Sequence, residues 1–254
     1  MVKKIVGTGV LLVLALALQA GVKMYTLKSP DGKVKLEVTA GQGIAYSLFY
    51  DGRLLLKPSR IALHTDLPEA DHWENIRITG TKQRHVSETV QAPFYRVKEF
   101  GIDCNELELR LNNGFLLLMR AYNDGMAYRF VAGRKGEMTV VEERAEFNFA
   151  DDFEAYIPYS TNPKDPWNMA FQNFYTKAPL TQYNTELPAF LPLTVDAGAV
   201  KLTLLESDLE AYPGMFVCGD GKTPALKGVF AAYPQETFKN KWRCQETVKA
   251  RRPY

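Results

Sequence analysis

The sequence predicts an all-β chain built as a large sandwich of antiparallel sheets. Three observations carry that expectation. Turn formers and aromatics are plentiful, with 18 Gly, 14 Pro, 14 Phe and 13 Tyr in 254 residues, which suits strands and turns better than long helices. Five Asp-Gly or Asn-Gly pairs recur at strand-sized intervals or between likely strands: Asp31-Gly32, Asp51-Gly52, Asn113-Gly114, Asp124-Gly125 and Asp220-Gly221. Such pairs accept the positive φ of tight hairpin turns. The segments beside them alternate apolar and polar residues with the two-residue period of a half-buried strand.

Along the chain, Val34, Leu36 and Val38 interleave with Lys33, Lys35 and Glu37. Leu107, Leu109 and Leu111 interleave with Glu106, Glu108 and Arg110. Phe115 to Met119 reads as a more fully apolar strand, and Met126, Tyr128 and Phe130 share a face after the Asp124-Gly125 turn. Leu202 and Leu204 continue the pattern after a turn near Ala197-Gly198. Helical evidence is confined to Ser207–Tyr212, one or two turns capped by Ser207 and stopped at Pro213. Prolines at 158, 163, 166, 179, 188 and 192 break the middle into loops and short strands. There is no internal repeat, low-complexity tract or flexible linker, so residues 21–254 read as one β-sandwich domain.

Residues 1–20 read as a secretory signal. Lys3 and Lys4 supply the positive n-region, and Ile5 to Leu18 is an uncharged apolar run of 14 residues. A spanning helix needs roughly 20, so cleavage near Ala20 is favoured over a membrane anchor. The expected location is the periplasm or beyond, with no membrane association after cleavage. No Cys lies near the cut, which argues against a lipoprotein. The charge balance, 31 Lys+Arg against 29 Asp+Glu, argues against a nucleic-acid partner.

Chemistry-bearing patterns are sparse. Cys104, Cys218 and Cys244 form no CxxC, and an odd count in an exported chain leaves at least one thiol unpaired. One disulfide is possible and its pairing is open. His64, His72 and His85 have no neighbours at metal-ligand spacing and read as surface or satisfied polar residues. Glycoside hydrolysis needs two carboxylates facing each other across a bond, and spacing alone selects no pair. Asp151-Asp152 and Glu142-Glu143 read as solvated charges. The stretch Tyr156 to Tyr183 is richer, with Tyr156, Tyr159, Trp167, Phe171, Phe174, Tyr175 and Tyr183 among amides and prolines. Aromatic faces stack on sugar rings while amides bond hydroxyls, so the mix suits a carbohydrate surface. The alternative is that these rings pack a long loop onto the sandwich.

Longer strings carry a resemblance. Ser29-Pro-Asp-Gly-Lys-Val-Lys-Leu-Glu-Val and Ile44-Ala-Tyr-Ser-Leu-Phe-Tyr-Asp-Gly-Arg-Leu-Leu-Leu open it. Asn105-Glu-Leu-Glu-Leu-Arg-Leu and Phe115-Leu-Leu-Leu-Met-Arg-Ala-Tyr-Asn-Asp-Gly-Met-Ala-Tyr-Arg-Phe continue it. Leu191-Pro-Leu-Thr-Val and Leu205-Glu-Ser-Asp-Leu-Glu-Ala-Tyr-Pro-Gly-Met-Phe close it. From about Tyr25 to the last residue the chain resembles the N-terminal domain of glycoside hydrolase family 97, which contains exported α-glucosidases and α-galactosidases.

The resemblance implies a galactose-mutarotase-like sandwich that packs against a catalytic (β/α)₈ barrel acting on an α-linked oligosaccharide. It places the catalytic carboxylates on the barrel and assigns none to this chain, which stops at Arg251-Arg252-Pro253-Tyr254, about where the linker to that barrel is expected. It also implies that one sandwich Glu reaches a calcium ion held mainly by barrel carboxylates. Gln172 stands at that place, in Phe171-Gln172-Asn173-Phe174-Tyr175. Its amide oxygen is a possible ligand without charge, so calcium is expected only together with a barrel. Glu186 is the nearest acidic alternative.

Three functions follow in order: a non-catalytic N-terminal domain that buttresses the barrel and walls its sugar pocket, a stand-alone carbohydrate-binding protein, and an independent mutarotase-type enzyme. Trp167, Tyr175 and Glu186 are the candidate sugar contacts and Gln172 the candidate metal ligand. The face that meets the barrel is expected to be apolar and exposed, and so to promote self-association.

Overall fold

A computed structural model describes residues 22–133, 136–164, 166–167, 173–207, 209, 212–239 and 246–252. The expected signal, residues 1–20, lies outside the described residues. The chain is all-β and antiparallel, as the sequence predicts, and it forms two compact units, each drawn from two stretches of sequence.

The first unit comprises the described residues of 1–53 and 72–135. Strands β1 (Lys23–Lys28), β2 (Val34–Gly41) and β3 (Gly43–Tyr50) form a meander. Asp51 and Gly52 follow, with φ of 47° and 77°. That pair of left-handed residues is the type I′ geometry that Asp-Gly favours. Strand β4 (Arg53–Thr65) then carries the chain into the second unit.

The first unit resumes with β5 (Ile78–Gln91), β6 (Glu99–Leu111), β7 (Phe115–Tyr122) and β8 (Gly125–Ala132), paired in that order. The period of two is visible in burial. Val34, Leu36, Val38 and Ala40 of β2 are buried, as are Leu107, Leu109 and Leu111 of β6. These faces meet where β1 and β2 pack on β6 and β7. Trp73, on the loop before β5, closes the core with Phe115 and Phe130 at ring separations of 6.0 and 5.3 Å. Each large side chain buried there contributes roughly 1.5–3 kcal/mol.

The apolar run Phe115–Met119 opens β7, with Phe115, Leu117 and Met119 pointing into the core and Leu116 and Leu118 half-buried. One expectation changes. Tyr122 pairs with Gly125, so the β7–β8 turn is Asn123-Asp124 and Gly125 is already a strand residue.

The other face of β6 carries a polar row. Arg84, Glu106 and Arg120 are cross-strand neighbours on β5, β6 and β7. Glu106 is buried and accepts from Arg84 Nε at 2.7 Å and from Arg120 Nε at 2.8 Å. Burial pushes its carboxyl up, but the two guanidinium bonds outweigh this and hold it below the usual carboxylate range.

The second unit comprises 54–71 and the described residues of 136–254. With β9 (Val140–Asn148), β10 (Glu154–Ile157), β11 (Thr176–Pro179), β12 (Leu193–Ala197), β13 (Val200–Leu204), β14 (Met215–Gly219) and β15 (Ala225–Phe230) it builds the strand orders β4-β9-β15-β14 and β11-β10-β12-β13. Strands β16 (Tyr233–Lys239) and β17 (Glu246–Arg252) form a separate hairpin. The described members of the expected helix at 207–212 are irregular, and Asp208, Glu210 and Ala211 lie outside the described residues. Helical structure among the described residues is one 3₁₀ turn, Leu180–Gln182, and no helix there is long and apolar enough to cross a membrane. Cys104 and Cys218 are free thiols whose pKa is raised by burial, and Cys244 lies outside the described residues.

Candidate functional site

The aromatic stretch that begins at Tyr156 lies in the second unit, and five of its described rings divide into two groups. Strand alternation sends Ala155 and Ile157 of β10 inward and leaves Glu154 and Tyr156 outward. Past the strand, Tyr159 makes an isolated bridge to Ala189, which in turn bridges Val217. That links the end of β10 to β14 and draws Tyr159 into the core. Its ring meets that of Tyr183 at 5.0 Å, edge to face. The Tyr159 hydroxyl oxygen accepts the N–H of Asn184 at 2.8 Å. Tyr183 donates to the carbonyl of Val217 at 2.7 Å, with the Leu187 carbonyl at 3.1 Å. Burial pushes both phenols above their ordinary pKa. Tyr159 and Tyr183 are therefore framework residues.

The second group faces solvent. Phe174 is 93% exposed and Tyr175 52% exposed, just before β11. Tyr156 is exposed on β10 opposite Lys177, whose ammonium stands 5.9 Å from the ring centroid and 2.7 Å from Glu154 Oε2. Asn173 ties this segment to the framework, donating from Nδ2 to the Tyr159 carbonyl at 3.0 Å.

The candidate residues fall in different settings. Trp167 is half-buried and packs edge-on against Phe216 of β14 at 4.9 Å. Tyr175 belongs to the exposed group. Glu186 is exposed on the loop after the 3₁₀ turn, where its backbone N–H bonds Asn184 Oδ1 at 3.1 Å. Gln172 and Phe171 lie outside the described residues. Among the described residues no group of three or more His, Cys, Asp or Glu side chains is placed to hold a metal ion.

Several carboxylates serve the fold. Asp152 accepts the N–H and hydroxyl of Thr181 at 3.0 and 2.6 Å. Glu143 accepts the Tyr212 hydroxyl at 2.7 Å. Glu206 accepts the Met215 N–H at 2.7 Å, and burial raises its pKa. His64 and Asp71 meet at 2.7 Å. None of these pairs has a sequence signal, because each joins positions outside any strand or helix period. Ser160, next to Tyr159, is buried with its hydroxyl unpartnered among the described residues.

Comparison with known proteins places this architecture. Residues 27–249 match the family described as Glycosyl-hydrolase 97 N-terminal. A retaining alpha-galactosidase of Bacteroides thetaiotaomicron is 39% identical over 229 residues, which are 87% of this chain and 34% of that protein. A probable retaining alpha-galactosidase of Streptomyces bingchenggensis is 26% identical over 158 residues, 61% of this chain and 24% of that protein. The chain thus spans about a third or less of the length of the curated relatives it matches. In fold it is similar to a glycoside hydrolase family 97 enzyme solved in complex with acarbose, from Pseudoalteromonas sp. strain K8. That likeness has a TM-score of 0.67 and 18% identity, and it covers 81% of this chain and 32% of the other. A beta-arabinopyranosidase gives a TM-score of 0.70 at 20% identity, over 82% of this chain and 35% of that one. The match over residues 27–249 and the 39% identity together show that this chain belongs to glycoside hydrolase family 97 as a member of its N-terminal domain family.

Proposed function

We propose that this chain is the non-catalytic N-terminal domain of an exported α-glycosidase, buttressing a (β/α)₈ catalytic barrel and walling one side of its sugar pocket. The observation that carries the reading is the 39% identity to a retaining alpha-galactosidase, across 87% of this chain but only 34% of that enzyme. The matched part is the N-terminal domain type, and the carboxylates of this chain whose partners are described above hold strands and loops together. The substrate of the assembled enzyme is an α-linked oligosaccharide, galactosides first. Calcium belongs with the barrel, since an ion of that kind takes six to eight oxygens and Gln172 offers one neutral amide oxygen. Residues 1–20 direct the chain out of the cytoplasm.

The test is hydrolysis of aryl α-galactoside and aryl α-glucoside by the chain alone, with calcium present. The reading expects no turnover; sustained turnover that scales with chain concentration contradicts it.

A second reading, sugar binding by the chain alone, is favoured by the exposed rings of Tyr156, Phe174 and Tyr175. Saturable heat on titration with maltooligosaccharides or galactosides supports it, and silence up to millimolar sugar removes it.

A further inference from the structure

We propose that the chain pairs with a second copy of itself along the outer edge of β5, continuing the four-stranded sheet of the first unit across a two-fold axis. Strand β5 ends that sheet. It runs 14 residues and pairs with β6, and among the described residues no strand pairs with its other edge. Alternate N–H and C=O groups along it therefore point away from the sheet, an open template for another strand.

The hairpin also outgrows its sheet. Strand β7 reaches β6 only from Arg110 to Cys104, while β5 follows β6 out to the Gln91–Glu99 pair. Beyond Val86 and Cys104 the two strands stand as an arm. Val90, Phe94, Tyr95, Val97 and Phe100 are exposed on it, Phe94 completely. A two-stranded arm has no core of its own to cover such a cluster, and apolar clusters of this kind mark contact surfaces.

The charges on β5 choose the occupant. Lys82, Arg84 and Glu88 are exposed and would deter pairing with an arbitrary strand. Against a second copy, the antiparallel register centred on Val86 sets Arg84 opposite the partner's Glu88, and symmetry makes that pair twice. Registers centred on Arg84 or Glu88 set like charges face to face, which is unfavourable. The Val86 register also sets Val90 opposite the partner's Lys82 and Ala92 opposite the partner's Gly80. Each exposed tip, Phe94 and Tyr95, then reaches the base of the partner's β5 at Ile78.

Sedimentation velocity of the full chain from micromolar to millimolar concentration tests this, with the exposed variants checked for an unchanged far-ultraviolet spectrum. The wild type is expected in monomer–dimer equilibrium. Glu88→Arg, which sets like charges opposite each other twice, should weaken the dimer roughly tenfold. Phe94→Ser combined with Tyr95→Ser should weaken it as well. Val90→Glu should tighten it, because the new carboxylate meets the partner's Lys82. A wild type that stays monomeric overturns the proposal. So does a dimer that Glu88→Arg or the tip variant leaves unchanged, or one that Val90→Glu weakens, as it would weaken any purely apolar association. The dimer goes beyond the domain role proposed above, and a monomer would leave that role standing.

Discussion

The phenol of Tyr183 donates to the backbone carbonyl of Val217 at 2.7 Å, 34 residues further along the chain. Around this bond the 3₁₀ turn, the 184–187 loop and β14 are tied together. Gly219 lets the ring in: a Cβ there would lie 2.7 Å from Tyr183 Cγ. A Cβ on Gly221, whose φ is 65°, would lie 2.9 Å from the Tyr183 carbonyl oxygen.

Removing the hydroxyl should therefore destabilise the second unit. Tyr183→Phe removes one of two bonds to the Val217 carbonyl, which keeps the Ala189 N–H at 2.9 Å, and should cost about 0.5–1.5 kcal/mol in urea unfolding. Gly219→Ala should cost about 1–3 kcal/mol by overpacking the same ring. Wild-type stability in both variants would show that Tyr183 is not the tie.

Glu106 makes stability depend on acid. Its folded-state carboxyl lies below the usual range, and an unfolded Glu titrates near about 4.3. The stability it supplies is fully present above that unfolded value and is lost as pH falls through the depressed one. At neutral pH Glu106→Gln should lose about 1.5–3 kcal/mol, because one of the two acceptor oxygens and the negative charge between two guanidiniums go. The gap to wild type should narrow as the solution is acidified; an unchanging gap would contradict the assignment.

The fold was legible where one period sufficed. Alternation in β2 and β6 selects the residues that are buried, and Gly32, Gly52, Gly114 and Gly221 all adopt the positive φ expected of their turns. What remained hidden depends on pairing between distant strands. Tyr159 and Tyr156 look alike in sequence, yet the Tyr159–Ala189–Val217 bridges bury one and the strand parity of β10 exposes the other. Glu106 reads as the polar half of an alternating strand. Only register across β5, β6 and β7 shows that it sits between two arginines, 22 and 14 residues away. The aromatic stretch leaves both readings open in sequence, sugar surface and packed loop, because composition cannot separate a core ring from an exposed one.

Ser160 offers a test in the opposite direction. Its buried hydroxyl has no partner among the described residues. Ser160→Ala should hold or raise the melting temperature, since an unmet buried hydroxyl costs about 1–3 kcal/mol. A clear loss would reveal a bond to that oxygen.

Trp167 and Tyr175 separate packing from binding. Trp167→Ala removes the ring packed on Phe216 and should lower thermal stability whether or not sugar binds. Tyr175 is exposed, so Tyr175→Ala should leave the melting temperature within a degree or so, as surface changes do. If the chain binds sugar alone, Tyr175→Ala should weaken that affinity roughly tenfold, the order expected of one stacked ring. Equal affinity in variant and wild type would remove Tyr175 from the sugar surface.

The central claim, a domain that supports a catalytic barrel without doing chemistry, is tested most directly by complementation. The retaining alpha-galactosidase of Bacteroides thetaiotaomicron would be produced without the N-terminal part that this chain matches, and its turnover of aryl α-galactoside measured with and without added chain, beside the chain alone. The account predicts no turnover by the chain and a saturable rise in turnover by the remainder as chain is added. Turnover by the chain alone, or a remainder indifferent to it, would contradict the account.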